Sequence, residues 1–370
     1  MALYLGNTYI GSCNINERVV EKDVNFYDYE GTLVASYTKQ EALALTALPL
    51  LPDRTAENLT CDGWNWTLQE VKDQVTYVGG VVEVGALYHP TDNKTHIFYS
   101  AYSESKTITL VITPSVANDV VIDWGDGTSD TLANAEQTTT VHTYNVTTYT
   151  IFDIKISSSN NYSIPTYIFG NQTSNQSTCV NEVWLSSKVS SIAATSFNYF
   201  FYLRKLILPD NLSIENNALR NCTTLQCLVF RRTITSLPAI FAYCFLVKLI
   251  VSGTLNYIPN NSARYFSYGS MNTVPLAVTY IGTDTYKGVS GTYEVHLGPN
   301  VATLFGGSSS LFSDGQVNRV YINRTTPPTL SANCIGADVK NIYVPSSAVN
   351  TYKSATNWSD YASIIVAIPE

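Results

Sequence analysis

A short apolar phrase recurs through the second half of this chain, and its spacing constrains the fold more than any other feature. It reads VNEVWL from Val180, LRKLIL from Leu203, LQCLVF from Leu225, LVKLIV from Leu246, VNRVYI from Val317 and VKNIYV from Val339, with a looser copy, TYEVHL, from Thr292. Successive starts at 180, 203, 225 and 246, and again at 317 and 339, give the step of a solenoid, in which one repeat cannot bury its apolar face without its neighbours. Inside each copy the apolar residues alternate, as in Val183/Leu185, Leu206/Leu208, Leu228/Phe230, Leu249/Val251, Val295/Leu297, Val320/Ile322 and Ile342/Val344. Alternation puts both members of a pair on one face of a strand, so each pair is predicted to point into the stack. A stack presents a long regular surface, which makes binding the first functional expectation.

Composition narrows the classes further. Only 14% of the 370 residues are charged, whereas Tyr, Ser, Thr and Asn abound, so much of the surface must be neutral and polar. A net charge of −8 with no basic run argues against nucleic acid as a partner. No window carries the continuous apolar run of a membrane span, and MALYLGNTYIGSC lacks the basic and apolar regions of a secretory signal. The seven cysteines include no CxxC pair; Cys222 and Cys244 occupy equivalent repeat positions and are expected to pack as small apolar residues.

Four regions are expected in a mainly β, multidomain chain. Residues 1–22 read as an N-terminal arm. Residues 23–103 read as a small α+β unit for anchoring or assembly: a hairpin over 24–37, capping boxes at Thr38/Glu41 and Thr67/Glu70 that start two helices, then strands near 80–88 and 95–101. Residues 104–158 are Thr- and Val-rich with close turn signals, as in a small β-sandwich centred on VVIDWGDGTSD. Residues 159–370 hold the repeats, closed by IYVPSSAVNTYKSATNW, where a helix carrying Val349, Tyr352 and Trp358 would cap the open core.

Three resemblances attach to these residues. Trp124, Gly125, Asp126, Gly127 and Thr128, followed by His142 and Tyr144, resemble the turn and H-x-Y of the polycystic-kidney-disease-type immunoglobulin-like domain, which implies an Ig-like sandwich; TTY replaces the usual G-x-Y after it. LPDNLSIENNALRNCTTL and FAYCFLVKL resemble the BspA-type leucine-rich repeat, which implies an adhesin-like stack. EKDVNFYDYEGTLVASYTKQEALALTALP with CDGWNWTLQEVKDQV resembles the opening of virion-associated proteins of phages and prophages of gut bacteria.

The repeat spacing breaks over 252–291, between Leu249 and Val295, and that stretch holds Tyr257, Tyr265, Phe266, Tyr268, Tyr280 and Tyr286. Insertions in solenoids leave from one face, and clustered tyrosines give rigid contact area, so these six are the expected ligand-binding residues, with packing as the alternative. Asp123, Asp126 and Asp130 form the densest carboxylate group, suited either to a calcium ion or to satisfying turn donors. His89, His96, His142 and His296 sit in no nucleophile or zinc motif, and no single carboxylate pair stands out for glycoside hydrolysis. The expectation is therefore a protein without catalytic residues or cofactors: a phage head fibre, decoration or tail-associated protein on the virion surface. Its N-terminal region would meet other virion proteins and its repeats a host-surface or mucus glycan or protein, without membrane insertion, and analogy with fibres would make it a homotrimer. The alternatives are a BspA-like adhesin on a bacterial surface and, more distantly, a secreted carbohydrate-active enzyme.

Overall fold

The computed structural model describes residues 2–5, 8–12, 21–102, 107–165, 168, 179–237, 244, 248–262, 272–289, 293–306 and 310–369. They are mainly β, with a solenoid of about 7 turns and only three short α-helices, Lys39–Ala44, Leu68–Tyr77 and Val349–Ser354. Ala2–Leu5 and Thr8–Ser12 pair with each other antiparallel at the start of the chain.

The first compact unit is a four-stranded sheet. Val24–Tyr27 and Leu33–Tyr37 form the expected hairpin, Val24–Tyr27 also pairs parallel with Val82–Pro90, and Leu59–Trp64 completes the order. Both capping boxes are present: Thr38 and Thr67 accept the N3 amides of Glu41 and Glu70, whose carboxylates accept the cap amides in return.

The strand Thr95–Ala101 departs from the expected plan. Rather than completing the first unit, it pairs antiparallel with both Thr150–Ser157 and Val180–Trp184. It thereby sits at the centre of an eight-stranded sheet that begins in the 107–157 segment and continues as the parallel strands Val180–Trp184, Lys205–Ile207, Cys227–Val229 and Lys248–Ile250. A five-stranded sheet runs the same way on the other side, from Thr138–Thr143 through Thr107–Pro114 and Tyr162–Ile164 to Val189–Ile192 and Ser213–Ile214. The boundaries expected at 103/104 and 158/159 therefore cut through continuous sheets. Ile97 and Tyr99, both fully buried, are shared by one core that extends from the 107–157 strands to the end of the stack.

Every alternating pair singled out above is buried, each residue at most 7% exposed. The registers align Val183, Leu206, Leu228 and Leu249 in order, and later Val295, Val320, Ile342 and Ile365. The interval 252–291 keeps the same rhythm on the second face, where Tyr257–Ile258, Tyr280–Ile281, Thr303–Leu304 and Thr329–Leu330 pair in parallel. On the first face the rung is reduced to a bridge between Thr273 and His296, with backbone bonds from the Val274 amide to His296 and from the His296 amide to Asn272. Among the described residues of this interval, the spacing gap is thus a weakly written rung rather than an insertion. At the far end Trp358 donates from its indole to the Pro328 carbonyl, and Tyr352 from its hydroxyl to the Arg324 carbonyl; both side chains are buried.

The first unit does not stand apart from the stack. Trp184, Ile207, Val229 and Ile250 occupy the outward position of their strands, yet none is more than 8% exposed, because the first unit lies on them. Gly85 permits a close approach: a Cβ there would fall 2.5 Å from Val229 Cγ1. Polar anchors line the seam. Asn65, wholly buried, donates its amide to the Phe230 and Val251 carbonyls at 3.2 Å while its oxygen accepts from the Gly85 amide at 2.8 Å. The Trp66 indole bonds the Val251 carbonyl, and Gln74 bonds both the Val274 carbonyl and the Leu276 amide. Ion pairs Lys248–Glu83, Arg231–Asp62, Arg232–Glu70 and Lys205–Glu30 flank them. An end-to-end order of anchor, spacer and stack is replaced by a unit laid lengthwise along successive rungs from Trp184 to Asn323.

Candidate binding face

Where the first unit ends, the outward face of the stack opens. The turn at Gly79 and Gly80 covers His296, and a Cβ on Gly80 would collide with that ring; the Asn323 amide then bonds the Tyr77 carbonyl at 2.6 Å. From His296 the register carries the outward position to Tyr321, Tyr343 and Val366. The rings form a ladder: His296 on Tyr321 at 4.4 Å with planes 3° apart, Tyr321 on Tyr343 at 4.5 Å and 11°. Parallel strands one hydrogen-bond spacing apart impose that stacking, because identical positions repeat about every 4.8 Å. Glu294, Arg319 and Asn341 form a parallel polar row, with Arg319 and Glu294 paired at 3.1 Å.

Burial pushes the His296 imidazole below its ordinary range despite the Glu294 carboxylate, so it stays neutral near pH 7. Burial, and next the Glu294 charge, raise the Tyr321 phenol, which remains a hydroxyl able to donate. The row thus offers half-buried aromatic surface edged by hydroxyls and one compensated ion pair, an arrangement suited to holding a partner rather than to transferring protons or electrons.

The six expected binding residues divide. Tyr257 and Tyr280 stack at 4.7 Å on the second face, with Tyr257 40% exposed. Tyr286 is core, 1% exposed and stacked on Phe312 at 5.3 Å, its phenol pushed up by burial. Tyr265, Phe266 and Tyr268 lie outside the described residues. Tyr321 and Tyr343 escaped notice although the sequence marks them. The middle residue of the last phrases is His296, Tyr321 or Tyr343, whereas in the first four it is Trp184, Ile207, Val229 or Ile250.

The remaining candidates are spent locally. Asp123 accepts from the Gly125 amide, Asp126 from Thr128 and from His142 Nε2 at 2.8 Å, and Asp130 from the Trp124 indole at 2.9 Å. Among the described residues no group of three His, Cys, Asp or Glu side chains could hold a metal ion. His142 stacks on Trp124 at 4.6 Å while the Tyr144 hydroxyl bonds the Trp124 carbonyl, so the WGDGT turn and the H-x-Y element form one packed knot. His89 pairs with Asp62. Six cysteines lie among the described residues, none of them in a disulfide, and Cys222 and Cys244 donate to the Phe197 and Leu219 carbonyls of the preceding turns.

Compared with known families, residues 139–270 match the BspA type leucine rich repeat region, in six copies. None of the curated proteins matches the chain. The rungs themselves run on past residue 270 to Ile365–Ala367. Repeats of this type suggest a surface adhesion-type repeat protein.

Proposed function

We propose that this chain is a non-enzymatic display protein of a phage virion, a head fibre, decoration or tail-associated protein, whose repeats adhere to a host-surface or mucus glycan or protein. The observation that carries the adhesive part is the ladder His296–Tyr321–Tyr343, regular, aromatic and polar-edged, whose rings at Tyr321 and Tyr343 lie beyond the cover of the first unit. The wording of residues 21–75, similar to virion-associated proteins, supports the particle as its location. On this reading the 104–158 strands are an Ig-like sandwich that starts the stack, the 349–361 segment is its cap, and the paired strands at 2–12 meet other virion proteins, in a trimer by analogy with fibres. A BspA-like adhesin on a bacterial surface is the second reading, favoured by the repeat match alone.

Immunogold electron microscopy with antibody against the repeats separates the two. Gold on capsids or tails supports the virion, and gold on cell envelopes without particles sinks it. For adhesion, Tyr321→Ser with Tyr343→Ser is expected to abolish retention on host cells or mucin while the melting temperature stays within a few degrees; retention equal to the unmodified chain refutes the row as the contact face.

A further inference from the structure

A second site lies where the three parts of the chain meet. A cleft of about 270 Å³ opens between the first unit (Tyr29, Asn58), the sandwich strands (Phe98, Asp153) and the first rungs of the stack (Glu182, Trp184). Its walls are aromatic: Phe98 meets Trp184 edge-on at 4.8 Å, and the Trp184 ring lies 5.1 Å from His96, which stands beneath the floor, 4% exposed. Its polar groups converge from sequence-distant elements. Glu182 accepts from the Trp184 indole at 2.6 Å and from the Tyr29 hydroxyl at 3.2 Å, with Lys205 at 3.6 Å. Asp153 accepts from His96 Nδ1 at 2.8 Å, and Asp92 holds the opposite ring nitrogen at 3.0 Å.

The pairing decides the ligand chemistry. Glu182, Asp153 and Glu57, the three carboxylates of the cleft wall, each already have a cationic neighbour, Lys205, His96 and Arg54 in turn, so none of them stands without a partner that a bound cation would have to replace. Lys205 is matched by Glu30 and Glu182, so it calls for no anion. What is left over is acceptor capacity on partly exposed carboxylates, the amide of Asn58, and flat apolar rings. That combination suits a neutral molecule with several hydroxyls and a C–H face. Hydroxyls donate to ionised carboxylates in charge-assisted bonds, and the C–H face covers the rings. The volume is just below the roughly 300–1,000 Å³ of sites for drug-sized molecules, which limits the occupant to one ring.

We propose that this cleft binds a single neutral pyranose, free or at the end of a longer glycan. The site is independent of the tyrosine row, and neither assignment needs the other.

The test uses the full chain with methyl glycosides of glucose, galactose, mannose and N-acetylglucosamine, each at about 10 mM, a level that fills a millimolar site. Saturation-transfer NMR is expected to show transfer from the protein to ring C–H protons of at least one glycoside. Glu182→Gln is expected to weaken its calorimetric affinity about tenfold, the effect of losing one charge-assisted hydrogen bond. Asn58→Gly, which suits the positive φ of 58° at that position, keeps the fold while removing an amide and is expected to weaken binding as well. The row is read by retention of Tyr321→Ser with Tyr343→Ser on cells or mucin, and the cleft by the glycoside affinity of Glu182→Gln and Asn58→Gly, so failure of the row and failure of the cleft read separately. The proposal is overturned if no glycoside shows transfer, if affinity survives both Glu182→Gln and Asn58→Gly, or if tetramethylammonium binds where the glycosides do not.

Discussion

Placing an alanine at Gly85 tests the seam between the first unit and the stack where a backbone meets the Val229 side chain. A Cβ there would lie 2.5 Å from Val229 Cγ1 and 2.7 Å from Cγ2, both on a side chain held between two apolar layers. Such overpacking costs about 1–3 kcal/mol. Val229→Ala alone removes two methyls at roughly 0.8 kcal/mol each and leaves a small cavity, about 1.5–3 kcal/mol in all. In the double variant the new methyl enters the space the valine methyls vacate, so its cost should equal that of Val229→Ala, well short of the ~2.5–6 kcal/mol that addition predicts. Urea unfolding followed by tryptophan fluorescence reads the effect directly, since Trp64, Trp66 and Trp184 all lie in the seam cluster. A double variant that adds within about 0.5 kcal/mol would refute the docking, because residues out of contact do not couple.

Three further outcomes are expected. His96 is buried, which opposes its charged form, but hydrogen bonds with Asp153 and then Asp92 outweigh burial and raise its pKa above the ordinary value of about 6.5. Its contribution to stability is therefore complete below the unfolded pKa and lost as pH rises through the folded one. Stability at pH 9 should be lower than at pH 6 by an amount that His96→Gln removes, and an imidazole NMR titration midpoint below 6.5 would contradict this. Iodoacetamide at pH 8 should leave Cys222 and Cys334 unmodified in the native protein, since burial raises the Cys222 thiol, with the Cys244 thiol adding to it, and pushes Cys334 up to about 12; rapid alkylation of either would count against a closed stack. Trp358→Ala should cost about 3–5 kcal/mol and expose the amides of Arg319–Ile322 and Thr329–Leu330 to hydrogen exchange. Unchanged protection there would mean that Trp358 does not close the end.

Local structure was legible in the sequence wherever near neighbours decide it. The alternating pairs, the hairpin from Val24 to Tyr37 and both capping boxes follow from period and chemistry within a few residues. The docking was written too, but in a position that alternation discards. Strands apolar at three consecutive residues, as in Val183–Trp184–Leu185 or Leu249–Ile250–Val251, bury both faces and need a cover on each side. The buried amides of Asn65 and Gln74 could not be foreseen, because their partners across the seam are backbone groups some 165 to 202 residues away, without side-chain signature. The same holds for Thr95–Ala101, whose alternation marks a strand but not which of two sheets it enters. The described tyrosines of 252–291 do not share one face for a related reason: composition groups residues that the coil of the stack then sends to opposite sides, Tyr286 inward and Tyr257 outward.

The lengthwise seam makes the first unit a ruler. It touches successive rungs at Lys205, Val229, Lys248, Val274, His296 and Asn323, each through a different residue of its own. Ordinary repeat arrays can gain or lose a unit, since each contacts only its neighbours. Here one added repeat would displace every later contact by a strand spacing of about 4.8 Å, out of reach of its partner. Repeat number beneath the unit is consequently frozen, and diversification of this protein must proceed by exchanging side chains on the open rungs or by adding rungs beyond Asn323.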